Sequence, residues 1–112
     1  MDLSRVSLIR ESTQEQLRDI VYLEQLMCRL GFNDEIMHEQ PAIVQKNTGG
    51  LRIWQYPNQF AKYLRFLSDK NIRTYLEIGC RWGGTFVLTC EYLKPSQAFA
   101  VDIIDSPVSE YE

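Results

Sequence analysis

The sequence predicts an α/β chain in which helices come first and one strand–helix–strand unit of parallel sheet follows. Three observations carry this expectation. Apolar residues recur at helical spacing from Leu17 to Leu30. The period changes at Thr74-Tyr-Leu-Glu-Ile78 and again at Ala98-Phe-Ala-Val-Asp-Ile103, two short, apolar, β-prone runs. Between them Gly79, Gly83 and Gly84 interrupt the chain and open a second apolar helical stretch. Strand, helix and strand in about 30 residues is the length of one βαβ unit, whose crossover is expected to be right-handed.

The first strong element is a helix over 13–30. Ser12, with Glu15 three residues on, has the form of a capping box. Leu17, Ile20, Val21, Met27 and Leu30 then make one stripe, widened by Leu23 and Leu26. Gly31 suits the position past the last turn, where a left-handed residue commonly ends a helix. Asn33-Asp34 can cap a short helix through Glu39, which Pro41 stops. Asn47-Thr-Gly-Gly50 is a turn signal, and Leu51–Tyr56 alternates enough to extend briefly. Pro57 suits the first position of a helix over 57–70, with Phe60, Tyr63, Leu64 and Leu67 on one face and Asn71 at its end. The strand at 74–78 follows. Gly83-Gly84-Thr85 opens a helix with Phe86, Val87, Cys90 and Leu93 inward, Pro95-Ser96 ends it, and 98–103 is the second strand. Residues 1–56 thus form a helical and loop region, and 57–112 a helix–strand–helix–strand unit.

The chain has 112 residues, 45% of them hydrophobic and 24% charged, the balance of a single globular domain. The net charge of −3 argues against nucleic acid as a partner, and Lys62, Arg65, Lys70 and Arg73 read as a solvated helix face. No apolar run approaches the ~20 residues that cross a bilayer, and the amino terminus lacks the apolar core of a secretory signal, so the expectation is no membrane and a cytoplasmic location. Cys28, Cys80 and Cys90 are odd in number and lack CxxC spacing, and His38 has no partner at ligand spacing; neither a disulfide framework nor a metal site is expected.

The informative stretch is Tyr75-Leu-Glu-Ile-Gly79-Cys-Arg-Trp-Gly83-Gly84-Thr85. A parallel strand ends at Gly79 and must turn sharply into a helix. Glycine permits the turn, and without a side chain it lets a ligand approach the backbone. The helix then presents unsatisfied N–H groups and the positive end of its dipole. Asp102 ends the next strand, where a carboxylate can accept both hydroxyl hydrogens of a ribose. The dinucleotide fingerprint G-x-G-x-x-G is absent, and no Gly-Lys-Ser/Thr follows the turn. Cys80 reads as a small loop residue. Trp82 is either core or a wall of the site. Trp54 and Tyr56 either pack on the 57–70 helix or close over the turn.

On these residues the chain resembles the class I, Rossmann-like S-adenosylmethionine-dependent methyltransferases. Glu77, Gly79 and Gly83 match their first motif and Asp102 their second, and Gly83-Gly84-Thr85 is similar to a variant found in some O-methyltransferases. Arg81 stands where the family commonly has its middle glycine. The resemblance implies S-adenosylmethionine as cofactor. Gly79 with the Cys80–Arg81 backbone would line its methionine portion, Glu77 would reach the amino group, Asp102 would hold the ribose and Ile103 would lie against adenine. The family's seven-stranded sheet would make this chain the N-terminal portion of a longer enzyme, carrying a cofactor half-site but no residue to nominate for catalysis and no acceptor site. Weak cofactor affinity and no turnover are expected of the chain alone. The alternative is a non-catalytic helical and βαβ interaction module. Either way the two strands leave unpaired edges, so self-association is expected.

Overall fold

The computed structural model describes residues 1–33 and 49–111. A 3-10 turn over Leu3–Arg5 leads into α1 (Val6–Arg10), followed by α2 (Gln14–Leu17), α3 (Ile20–Leu30), α4 (Pro57–Ser68), β1 (Thr74–Ile78), α5 (Gly84–Leu93), β2 (Gln97–Val101) and a closing 3-10 turn at Pro107–Glu110. Mixed helix and strand is therefore correct, and β1 and β2 pair in parallel from Thr74↔Gln97 to Ile78↔Val101. The expected short helix after Asn33, its stop at Pro41, and His38 lie outside the described residues.

The helix expected over 13–30 is two. Thr13, not Ser12, caps α2, in a reciprocal box with Gln16. The Ser12 hydroxyl instead donates to the Leu8 carbonyl at 2.8 Å. Asp19 then leaves helical geometry (φ −94°, ψ 116°), and its carboxylate accepts from the Val21 and Tyr22 amides, starting α3 afresh. A strong cap inside a periodic stretch divides it. β2 ends two residues earlier than expected, at Val101, and Ile103 is fully exposed beyond it.

The core lies among the helices. α3 buries Leu23, Leu26, Met27 and Leu30, and α4 buries Pro57, Phe60, Ala61 and Leu64, both at the i, i+3, i+4, i+7 spacing of one helical face. α5 is buried almost all round from Phe86 to Cys90. One continuous cluster joins Val6, Ile9, Leu23 and Phe32 from the first part of the chain to Leu64, Val87 and Leu88 from the second. The segment 51–53 is threaded into it. Phe32 and Ile53 form a parallel bridge, the Leu51 amide donates to the Leu30 carbonyl at 2.8 Å, and that of Ile53 to Gly31 at 2.9 Å.

The sheet is covered on one face only. Tyr75, Glu77 and Ala100 are half-buried, and the Tyr75 ring stacks on Phe86 of α5 with centroids 5.7 Å apart. The opposite face, carrying Leu76, Ile78, Phe99 and Val101, is open. The apolar composition of these strands suggested burial on both faces.

Glu91 ties the ends of the chain to α5. Its carboxylate, on a side chain only 11% exposed, accepts from Arg10 at 2.8 Å and from the Tyr111 hydroxyl at 2.6 Å. Burial opposes its charge, but the hydrogen bonds from Arg10 and Tyr111 outweigh that and hold the carboxyl below the ordinary glutamate value. The folded state therefore binds this proton more weakly than the unfolded chain, and the stabilisation is present above the ordinary value of 4.5 and lost as pH falls through the lowered one. Glu91→Ala should cost about 1–2 kcal/mol at neutral pH, since Arg10 is exposed but Tyr111 loses its acceptor. Chemical denaturation at pH 7 and pH 3 checks this: the variant's deficit should shrink in acid, and an equal deficit at both would show that packing, not charge, is at stake.

Candidate cofactor site

The turn between β1 and α5 is built from alternating left-handed residues. Gly79 (φ 79°), Arg81 (φ 47°) and Gly83 (φ 88°) curl the chain back so that the Gly83 amide donates to the Cys80 carbonyl at 2.7 Å. Arg81 thus adopts a left-handed backbone that a glycine would adopt freely. For a residue with a Cβ this costs roughly 1–2 kcal/mol. Several contacts hold it there: its amide donates to Asp102 Oδ2 at 2.7 Å, its carbonyl accepts from the Ser106 hydroxyl, and its guanidinium lies 5.6 Å from both the Trp54 and Trp82 ring centroids.

Asp102 is brought to the turn as the sequence suggested, but it also organises the turn. Oδ2 accepts from Arg81 N–H and lies 3.8 Å from the Cys80 sulfur, while Oδ1 accepts from the Ile104 amide at 3.3 Å. The Arg81 amide first, then those of Ile104 and Ile103, lower its pKa. An ionised carboxylate has about four acceptor positions, so lone pairs remain for ligand hydroxyls on this partly exposed side chain. Cys80 is buried, in keeping with a small loop residue.

Gly79 is the open point. A Cβ placed on it would meet nothing within 4 Å, whereas one on Gly83 would lie 2.6 Å from Val108 Cβ. The backbone at Gly79 is accessible, while segment 106–108 closes over Gly83. Asp102, Cys80, Ser106 and Val108 border a cavity of about 240 Å³ beside this turn. The Trp82 indole N–H is buried with no acceptor among the described residues. Neither Gly79 nor Trp82 lines the Asp102 cavity, Trp82 bordering a separate one with Arg81 and Pro107; the carboxylate with spare acceptor positions, beside an accessible glycine, fits a small molecule bearing hydroxyl groups.

Glu77 does not share that cavity. It lines a separate one of about 380 Å³ with Gln55, Gln59, Phe60, Tyr63 and Tyr75. The Tyr75 hydroxyl donates to Glu77 Oε1 at 2.6 Å, and burial pushes the Glu77 carboxyl up, against the lowering effect of that bond. The same burial raises the Tyr75 phenol. Glu77 and Asp102 thus stand at the carboxyl ends of neighbouring strands but face different spaces. Ile103, expected against adenine, projects into solvent.

One contributor was missed from sequence: Ser106, whose hydroxyl holds the Arg81 carbonyl. Trp54, for which closure over the turn was one of two readings, reaches it, its ring lying against the Arg81 guanidinium and its amide donating to Thr85 Oγ1 at 3.3 Å. Ser106-Pro107 has the form of a cap followed by a first-turn proline, which marks the local element but not its target. Among the described residues no helix is long and apolar enough to cross a membrane. Comparison with protein-family models, curated proteins and solved structures finds no match.

Proposed function

We propose that this chain carries the cofactor-binding half-site of an S-adenosylmethionine-dependent methyltransferase of the Rossmann-like type. The observation that supports it most is the juxtaposition of an unobstructed, left-handed Gly79 with Asp102 at the end of the adjacent parallel strand. In this reading the Gly79–Arg81 backbone receives the methionine portion and the free lone pairs of Asp102 accept from ribose hydroxyls. Glu77, on the other side of the strand end, meets the amino group, and Ile104, which borders the Asp102 cavity, lies against adenine. When bound, the cofactor would supply a sulfonium methyl group, whose carbon an acceptor nucleophile would attack while the neutral thioether leaves with the C–S bond pair. The residues named here bind and orient.

Small-ligand pockets commonly enclose roughly 300–1,000 Å³, and the 240 Å³ space beside Asp102 falls short of that. Affinity should therefore be weak, and no turnover is expected of the chain alone. Titration with S-adenosylhomocysteine, followed by amide resonances, tests the site. Signals of 79–83 and 102–104 should move at millimolar ligand, and Gly79→Asn, a residue type that tolerates the left-handed backbone but adds a side chain at the open point, should reduce the response while far-UV circular dichroism is unchanged. Asp102→Asn, which keeps an acceptor for the Arg81 amide, should weaken it. A response confined to other residues, or none, refutes the reading. Low-micromolar affinity by calorimetry would refute the half-pocket argument.

A further inference from the structure

We propose that the cavity between α2, the α4–β1 connection and the α5–β2 connection is a second ligand site, one that takes a small, soluble phosphomonoester. Its volume is about 410 Å³, and Asn71, Arg73, Lys94 and Ser96 line it at the amino ends of the strands. Gly79 and Asp102 follow the strands, so the two spaces stand at opposite ends of β1 and β2. No strand residue contributes to the lining. The cavity therefore does not depend on what pairs with the edges of the sheet or covers its open face. It also stands without the methyltransferase reading.

The lining has one sign of charge. Arg18, Arg73 and Lys94 border the cavity, and none of the described residues around it is acidic. In a chain of net charge −3 this reverses the overall balance. Asp69 meets Arg18 at 3.2 Å, but it is shared with Arg65 at 2.8 Å. The Arg73 and Lys94 side chains have no ion-pair or hydrogen-bond partner among the described residues. Cations at helix ends commonly complement the last carbonyls, but here those carbonyls are already occupied. That of Leu17 accepts from the Tyr92 hydroxyl at 2.7 Å, that of Arg18 from Arg65 Nε at 3.1 Å, and that of Cys90 from the Lys94 amide at 2.8 Å. Two planar guanidinium forks and an ammonium suit a phosphate group, which carries nearly two charges on a monoester at neutral pH. Asn71 and Ser96 add neutral donors, and Leu17 and Ile72 an apolar wall. The volume lies within the roughly 300–1,000 Å³ of small-molecule pockets, so a phosphate carried on an organic group fits better than the bare ion. The cations border a recess and not a flat patch, which favours a free ligand over a membrane surface.

Titration of the whole chain with phenyl phosphate at physiological ionic strength should move the amide signals of 17–18, 71–73 and 93–96. Those of 79–83 and 102–104 should stay in place. Inorganic phosphate should move the same signals more weakly, and added sodium chloride should not. Arg73→Gln should weaken binding about tenfold or more, the scale of one hydrogen bond to a charged group. Lys94→Asn should do the same, since asparagine tolerates the φ of 50° found there. The two together should abolish binding with circular dichroism unchanged. Lys62→Glu, at an exposed site on α4 that does not line the cavity, should leave affinity within about twofold, because salt screens it. Unmoved signals at millimolar phenyl phosphate overturn the proposal. So does full binding by the double variant, or an equal loss in Lys62→Glu, which would mark a diffuse charge effect. Phosphatidylcholine vesicles containing phosphatidic acid should not sediment the protein; sedimentation that Arg73→Gln/Lys94→Asn abolishes would assign the phosphate to a lipid and overturn it as well.

Discussion

Replacing Gly84 with alanine is expected to lower the melting temperature by roughly 10–20 °C or to prevent folding. Gly84 opens α5 directly against the segment that carries Trp54. A Cβ there would lie 1.9 Å from the Leu51 carbonyl oxygen, 2.8 Å from its carbon and 3.0 Å from the Arg52 carbonyl carbon. All three are backbone atoms, so no rotamer change relieves the clash. Leu51 itself is held by hydrogen bonding to Leu30, and Ile53 by bonding to Gly31. Either α5 or the 51–53 segment must move, and overpacking against a fixed backbone costs about 3 kcal/mol or more. For a domain of this size each kcal/mol shifts the midpoint by roughly 4–8 °C. Gly79→Ala is the internal comparison: it meets open space and carries only the penalty of φ 79°. Calorimetric melting of both variants decides the matter. A Gly84→Ala protein that melts no lower than Gly79→Ala would show that the close approach is unimportant.

Phe32→Ala should cost about 3–5 kcal/mol, the range for removing a buried aromatic side chain. Phe32 is 0% exposed and sits where α3 hands over to the bridge with Ile53. Its carbonyl accepts from Gly49, and the next amide, that of Asn33, donates to Ile53 at 2.9 Å. The ring therefore fills a space whose backbone walls are hydrogen-bonded in place and cannot collapse far. Domains of this kind have about 5–15 kcal/mol in total, so a large share would vanish. Urea titration should show a lower midpoint with an unchanged slope. A loss under about 1 kcal/mol would mean the walls relax after all.

What was legible in the sequence follows a physical rule. α4, β1 and α5 were readable because proline, asparagine and paired glycines punctuate runs whose apolar period matches their geometry. The glycine turn and Asp102 were readable because few residue types can occupy those places. The break at Asp19 was hidden, since a continuous apolar stripe outweighed a cap residue within it. α1 is only five residues long, too short to announce itself by period. The bridge between Phe32 and Ile53 joins segments that no local pattern relates. Arg81 looked like a departure from the glycine motif. Its left-handed backbone is one that glycine adopts freely, and Asp102, Ser106 and Trp54, all distant in sequence, hold it together with the adjacent Trp82.

The stacking of Arg81 between two indoles has a spectroscopic side. Trp54 and Trp82 are the only tryptophans in the chain, and both flank that one guanidinium. Their emission is therefore a local signal from the β1–α5 turn, not an average over the fold. A second guanidinium, that of Arg52, lies 5.0 Å from the Trp82 ring centroid, so the environment of that indole is set largely by two cations. Excitation of tryptophan alone follows the turn, while the six tyrosines spread from Tyr22 to Tyr111 follow the rest. Opening of the turn ahead of the helical core would separate the two signals in time without any label being introduced.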